Sequence, residues 1–326
     1  MKTKSFPYRT AFVINSYAGK GRGLKTWKKV ESYMIEKGIS YEVFYTSNDA
    51  GDAAKTAARA SEKGAELIVG LGGDGTLNEV VNGIDLDRNI LGVLPGGTAN
   101  GFRRSVKVPH NPILSLQGLF HWPVMKMDLG KVNDSYFLNS VGMGFDAQVS
   151  LTATDDRYWL KGYPGYVSAC LQYMNYPPKV ISYQLDNGEV VSKEAFLAVV
   201  ANGRFYGGQL CIAPQACIDD GLLDFEIAYP GNNVRKVSMA LMAFARNHTF
   251  MKGFDTARAK KVIINSEDDS MPVQVDGETK NMKRFPLEFT IFPKALKIVS
   301  PYNLQFPFKY VEPEVRDKVL QFFNNS

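Results

Sequence analysis

Four strand-like runs, each followed by a turn and most then by a helical pattern, restrict the possible fold of this chain more than any other feature. Thr10–Ile14, Tyr41–Tyr45, Leu67–Leu71 and Ile90–Leu94 are short, and the last two are almost wholly apolar. Such runs are the mark of strands covered on both faces of a parallel sheet. After the first run comes the glycine-rich stretch Ala18–Gly23, then a helical pattern that sets Trp27, Val30 and Met34 on one face. After the second, the Ala-rich segment Ala53–Lys63 predicts a helix that Gly64 is placed to end. Strands alternating with helices imply right-handed βαβ units and an α/β domain.

The pattern changes near Gly130. Lys179–Asp186 puts Ile181, Tyr183 and Leu185 on one side and Ser182, Gln184 and Asp186 on the other, and Asn187-Gly188 then supplies a hairpin turn. Leu223, Phe225, Ile227 and Tyr229 repeat the two-residue period, as do Leu287, Phe289 and Ile291. These runs predict a mainly antiparallel β domain of sandwich type, with helices near Gly165–Tyr176 and Val234–Ala245. The expected organisation is therefore an α/β domain over 1–130 and a mainly β domain over 131–300. The tail 301–326 carries Phe306, Phe308, Tyr310, Val315, Val319 and Phe322, with a short amphipathic helix at Asp317–Phe323, and is expected to pack back on the first domain.

The 326 residues suffice for two cores, and no run approaches the roughly 20 apolar residues of a membrane-spanning helix. The N-terminus reaches Asn15 without the apolar stretch of a signal peptide, so the chain is expected in the cytoplasm. Its three cysteines, Cys170, Cys211 and Cys217, lack paired spacing and read as buried reduced thiols rather than zinc ligands or disulfides. The histidines His110, His121 and His248 stand in no catalytic context. A net charge of +5 suits an anionic partner, and the absence of a basic run interleaved with aromatics argues against nucleic acid.

The candidate chemistry begins at Gly72-Gly73-Asp74-Gly75-Thr76-Leu77-Asn78-Glu79, where a strand gives way to a helix. Glycines let the backbone approach a phosphate, and amides at the helix start, aided by its dipole, can donate to it. Asp74 offers a carboxylate for the water shell of a metal, and Thr76 a hydroxyl. The plainer reading is a tight strand-to-helix turn with an Asp cap. Two further loops favour the phosphate site: Pro95-Gly96-Gly97-Thr98-Ala99-Asn100 after the fourth strand, and Asn15–Gly19 after the first, with Lys20 beside it. In an open α/β sheet such loops gather at the carboxyl ends of the strands around one crevice.

GGDGTLNEVVNGI followed by PGGTAN resembles the catalytic domain shared by bacterial diacylglycerol kinases, sphingosine kinases and ceramide kinases. VGMGFDA at Val141–Ala147, GGQLCIAPQACIDDGLLD at Gly207–Asp224 and VDGE at Val275–Glu278 extend the resemblance over most of the chain. GGDGT alone is shared with NAD kinases, whereas its combination with IAP…DDGLLD and a later DGE is specific. The resemblance implies an NAD kinase/phosphofructokinase-like α/β domain followed by the β domain. It implies ATP as co-substrate, held by Asn15, Ser16, Tyr17, Ala18, Gly19, Thr46, Gly73, Asp74, Gly75, Thr76, Leu77, Asn78, Glu79 and Thr98. It implies Mg2+ on the Asp220 carboxylate and the backbone carbonyls of Cys217 and Leu222, and Glu278 as the general base.

Each acidic motif has a plainer rival. Asp219-Asp220-Gly221 reads alone as a β-turn, and Asp276-Gly277-Glu278 as a hairpin tip with a solvated Glu. One position departs from the bacterial diacylglycerol kinases. They place Asp where this chain has Gly101, in an Asp–water–Mg2+ network with the counterparts of Asp74 and Asp128. Sphingosine-kinase-like relatives also carry a small residue there.

The implied activity is phosphotransfer to a lipid hydroxyl, reached by transient contact with the inner membrane surface. Tyr158-Trp159-Leu160-Lys161, Tyr163, Tyr166, Tyr173 and Tyr176, with Lys179, are placed either at a lipid entrance or inside the second domain. A homodimer is compatible with this reading. The rivals are an NAD kinase-like enzyme and a nucleotide- or lipid-binding protein without catalysis. The kinase reading requires the glycine loops and the acidic turns to meet over one cleft.

Overall fold

A computed structural model of the chain describes residues 5–154, 168–173, 175–206, 210–229, 231, 253–278 and 285–302. The chain divides into two compact units, one of Met1–Lys126 with Leu296–Ser326 and the other of Met127–Ala295.

In the first unit the order is β1 (Thr10–Ile14), α1 (Ala18–Glu36), β2 (Glu42–Tyr45), α2 (Asp52–Glu62), β3 (Leu67–Gly72), α3 (Asp74–Gly83), β4 (Ile90–Pro95), α4 (Gly101–Ser105) and α5 (Pro112–His121). The strands lie in the order β2-β1-β3-β4, all parallel, as their apolar runs predict. β1, β3 and β4 are buried along their whole length. Helix α1 turns Trp27, Val30 and Met34 into the core, each at most 1% exposed. It opens on the expected glycine-rich stretch, where Gly19, Lys20 and Gly21 take φ of 58°, 58° and 85°, a left-handed turn that the two glycines make accessible. Gly64 ends α2, its N–H bonding Ser61 O while Ala65 N reaches Ala60 O. Helix α5 goes beyond the sequence expectation, although its signal was local: Asn111 caps it by accepting from Ile113 N and Leu114 N, and Pro112 takes the first turn.

The second unit holds β5 (Val124–Val132), which starts in the first unit, β6 (Ser135–Phe137), β7 (Ser140–Gly144), α6 (Phe145–Thr154), β8 (Lys179–Leu185), β9 (Val191–Ala195), β10 (Leu197–Ala201), β11 (Phe205–Tyr206), β12 (Leu210–Cys211), β13 (Leu223–Ala228), β14 (Phe254–Ala259), β15 (Lys261–Ser266), β16 (Val273–Val275) and β17 (Leu287–Val299). The end of β17 returns to the first unit, where Ile298 pairs in parallel with Leu91 of β4. One sheet has the order β14-β13-β10-β7-β16, and β17-β15-β8-β9 form the other, with β5 joined to β17 and β6. Val141, Val200, Phe225 and Val275 of the first sheet share one core with Ile181, Ile264 and Phe289 of the second, which makes the unit a β-sandwich.

In Leu223–Ala228 all six residues are buried, Asp224 and Glu226 included. The other face of this sheet is covered by Ile212, Ala213 and Ala216, which cluster with Val199 and Ala201 of the neighbouring β10. Of the aromatic stretch, Tyr173 and Tyr176 pack on Phe145, Val149, Ala169 and Phe196, an interior role. Lys179 pairs with Asp268. Tyr158–Lys161, Tyr163 and Tyr166, the helix expected at Val234–Ala245, His248 and the tail beyond Tyr302 lie outside the described residues.

Candidate active site

Because β1, β2, β3 and β4 are parallel, the segments that follow them share the carboxyl edge of the sheet. Asn15 organises the first loop: its Oδ1 accepts from Tyr17 N and Ala18 N, each at 3.0 Å, and its Nδ2 donates to Thr76 Oγ1 at 3.0 Å. One side chain therefore ties the Asn15–Gly19 loop to the start of α3. Arg22 ties it to the third loop, donating to Gly19 O at 3.1 Å and to Thr98 Oγ1 at 2.7 Å. Asn100 folds that loop on itself, accepting from Gly97 N and donating to Gly97 O. Ser16 is half-buried and Tyr17 is 57% exposed. Thr46, at the end of β2, is buried, and its hydroxyl has no hydrogen-bond partner among the described residues.

The two glycine loops touch through backbone. A Cβ on Gly97 would lie 2.3 Å from Gly73 Cα and 2.9 Å from Gly73 N. Gly97→Ala must therefore push the loops apart, and no flexible side chain can absorb the shift. We expect it to weaken binding of a fluorescent ATP analogue at least tenfold and to lower stability by about 1–3 kcal/mol. Near-normal titration and melting curves would remove these loops from nucleotide recognition.

Within GGDGTLNE the residues divide. Gly73 is the N-cap of α3 and Gly75 and Thr76 are buried in its first turn, where amides lack partners inside the helix. Asp74, Leu77 and Glu79 each have a structural role of their own. Both Asp74 oxygens accept from the start of α4, Oδ1 from Phe102 N and Oδ2 from Gly101 N, each at 2.8 Å. Gly101, with no side chain to offer, enters this arrangement through its N–H. Leu77 is 2% exposed and its amide bonds Gly73 O, so it serves the core. Glu79 caps α2 instead, accepting from Gly51 N and Ala53 N. Asn78 is buried at 1% exposure and accepts from Asn82 Nδ2 through its carbonyl.

In the β-sandwich, Glu278 and Asp220 are both exposed, and each sits beside a buried Asp that fixes its turn. Asp276, at φ 51° and 5% exposure, accepts from three amides: Leu138 N at 2.8 Å, Asn139 N at 2.7 Å and Ser140 N at 3.1 Å. Gly277 N donates to Gln274 Oε1, Gln274 Nε2 to Asp146 Oδ2, and Ser150 Oγ to Gly277 O, so α6 braces the same turn. Glu278 closes it through a two-way backbone bridge with Val275. Asp128 is fully buried, and its oxygens accept from Gly221 N at 2.6 Å and Lys294 N at 2.7 Å. Asn202 links the two turns: its Nδ2 donates to Leu138 O at 2.9 Å and Asp128 O at 3.0 Å. Sequence reasoning missed Asn202, whose contacts lie 64 and 74 residues away along the chain.

The donors assigned to Mg2+ suit a hard cation. Asp220 supplies a carboxylate whose Oδ1 already accepts from Leu222 N at 3.1 Å, which orients it, and the Cys217 and Leu222 carbonyls are oxygen donors. The Cys217 thiol donates to Asp219 Oδ1 and takes no part. Among the described residues no three His, Cys, Asp or Glu side chains gather, so a metal here would rest on one carboxylate and backbone oxygens. Asp74 and Asp128, the other expected network members, each accept from two backbone amides.

Of the three cysteines only Cys211 is buried; Cys170 and Cys217 are half-buried. Burial pushes the Cys170 thiol up to about 12, which keeps it unreactive. His110 and His121 are exposed, and partial desolvation followed by the positive charges of Arg103, Arg104 and Arg22 holds His110 below its ordinary value.

The chain is similar to known proteins along most of its length. Residues 9–132 match the diacylglycerol kinase catalytic domain, and residues 139–300 match the YegS C-terminal NAD kinase beta sandwich-like domain. A diacylglycerol kinase of Bacillus subtilis (strain 168) is 30% identical over 86% of this chain and 93% of its own length. A probable lipid kinase, YegS-like, of Chromohalobacter salexigens is 30% identical over 78% of this chain and 82% of its own. A crystal structure of a provisional diacylglycerol kinase from Bacillus anthracis str. Sterne superposes with a TM-score of 0.73 at 25% identity, covering 92% of this chain and 98% of that one. A parallel α/β unit with glycine loops at its carboxyl edge and a β-sandwich with two anchored acidic turns define, with these matches, a lipid kinase. The chain belongs to the diacylglycerol kinase catalytic-domain family, in the form that carries a YegS-type second domain.

Proposed function

We propose that this lipid kinase transfers the γ-phosphate of ATP to a hydroxyl of diacylglycerol or a related lipid, with Glu278 as general base and Mg2+ at Asp220. The observation that carries the reading is the Asp276-Gly277-Glu278 turn. Three backbone amides hold Asp276 in the interior, and the carboxylate two residues on is left exposed at a fixed place. An ordinary hairpin tip needs no such anchor. A lipid hydroxyl is a poor nucleophile, and a positioned carboxylate can take its proton as the bond to phosphorus forms. Phosphoryl transfer otherwise asks for positioning and charge neutralisation. The tied loops around Asn15, Thr76, Gly97 and Thr98 supply amides and hydroxyls for the nucleotide phosphates, and bound Mg2+ would neutralise charge on them.

Diacylglycerol leads the acceptors because the Bacillus subtilis relative bears that name; a sphingoid base, ceramide or another glycerolipid shares the required hydroxyl. No helix among the described residues is long and apolar enough to cross a membrane, so the lipid would be reached by peripheral contact at the inner membrane surface. The test is transfer of ³²P from γ-labelled ATP to separate vesicle preparations of each lipid, with products identified by mass spectrometry. Label in a chloroform-soluble phosphomonoester is expected, most of it from diacylglycerol. Transfer to NAD, or ATP binding with no transfer to any lipid, would overturn the proposal.

A further inference from the structure

The segment resembling the lipid kinases ends in Asp224, and the proposed chemistry makes no use of it. Asp224 lies on β13 directly opposite Arg258 of β14. Its side chain is 8% exposed, and Oδ1 receives Arg258 Nε at 3.2 Å. Its Oδ2 is buried with no hydrogen-bond partner among the described residues, and Arg258 is the cation bonded to its other oxygen.

The same guanidinium reaches the other flank of the Asp220 turn. Arg258 Nη2 donates to Gln215 O at 2.7 Å, whereas Nη1 stands 3.9 Å from Asp220 Oδ2, beyond hydrogen-bond reach. Arg204 Nε holds the adjacent Ala216 O at 2.7 Å. Residues 215–224 are thus pinned before and after Asp220, while Arg258 makes no hydrogen bond to the Asp220 carboxylate itself, whose Oδ1 accepts from Leu222 N. We propose that Arg258 is a positioning residue for the metal turn: it grips Gln215 and Asp224 and so sets the Asp220 carboxylate and the Cys217 and Leu222 carbonyls at one place. This rests on the reading of Asp220 as the metal carboxylate.

Geometry, rather than charge, is the substance of the role. An ion pair at 3.9 Å with both side chains partly exposed contributes little. A planar guanidinium with N–H groups in fixed directions can span a carboxylate and a carbonyl at once. A lysine ammonium is a point charge on a flexible stem and cannot hold both in the same frame.

The test uses the full chain with Arg258→Lys, Arg258→Ala, Asp224→Asn and, as reference, Asp220→Ala. Two quantities are read: Mn2+ affinity by electron paramagnetic resonance, and hydrogen exchange over residues 213–222. Arg258→Lys and Arg258→Ala should each weaken Mn2+ binding about tenfold, in the range seen when groups supporting metal ligands are removed. Both should speed exchange at the Gly221 and Leu222 amides, with binding of an ATP analogue unchanged. Asp224→Asn should move both readouts the same way. The proposal is overturned if Arg258→Lys matches wild type in both readouts, or if Lys rescues what Ala loses, since charge alone would then suffice. If Asp220→Ala binds Mn2+ as wild type does, the metal assignment falls, and the exchange readout still decides whether Arg258 holds the turn.

Discussion

Glu278→Gln should lower kcat for lipid phosphorylation by about a thousandfold, within the range typical of a lost general base and equivalent to about 4 kcal/mol of barrier. The substitution keeps the shape of the side chain and removes its ability to take a proton. It should leave the fold alone, because Glu278 is exposed and joins its turn through backbone bonds with Val275. Thermal melting and ATP-analogue binding should match the unmodified protein, so that the loss sits in kcat. Glu278→Asp should fall between the two, since a carboxylate drawn back by one methylene keeps the chemistry and loses the reach. The measurement is initial rate against lipid in mixed micelles at saturating ATP and Mg2+. A Gln variant retaining more than a tenth of kcat would mean that the proton leaves by another route.

The parts of this molecule written in local patterns were legible in its sequence, and the parts written in long-range polar contacts were not. β1, β3 and β4 announce themselves because strands buried on both faces must be apolar throughout. The glycine loops are visible because only glycine permits the approach of Gly97 to Gly73 and eases the left-handed turn at Gly19–Gly21. Glu79 adjoins a phosphate-type loop, but its hydrogen bonds to the amides of Gly51 and Ala53 lie in a preceding element, outside the motif. Asp224 and Glu226 alternate with Leu223, Phe225 and Ile227, and their burial depends on the Ile212–Ala216 segment that covers this sheet, which the strand's own pattern does not encode. The Glu278 turn, read alone, was a hairpin tip. What distinguishes it is the burial of Asp276 against amides 136 to 138 residues earlier in the chain, which no local spacing encodes.

That anchor makes the second large effect a structural one. Asp276→Ala removes the acceptor of three buried amides, and an unmade buried hydrogen bond costs about 1–3 kcal/mol each before water enters. It also puts alanine at φ 51°, where Asp and Asn are tolerated better than residues whose side chains cannot bond locally. A net loss of about 3–5 kcal/mol follows, which for a unit of this size lowers the melting temperature by about 10 °C. Asp276→Asn should do less harm, because its carbonyl can stay with Asn139 N and Ser140 N while its NH2 is turned against Leu138 N–H alone. Asn202 receives the consequence, since its Nδ2 bonds Leu138 O on one side and Asp128 O on the other, and Asp128 holds Gly221. Loosening residues 138–140 should therefore also speed hydrogen exchange at the Gly221 amide, on the far side of this chain of bonds. Differential scanning calorimetry and exchange mass spectrometry read the two effects separately. A melting temperature within 2 °C of the parent would show that water replaces the carboxylate without loss, and unchanged exchange at Gly221 would show that the Glu278 and Asp220 turns are held independently.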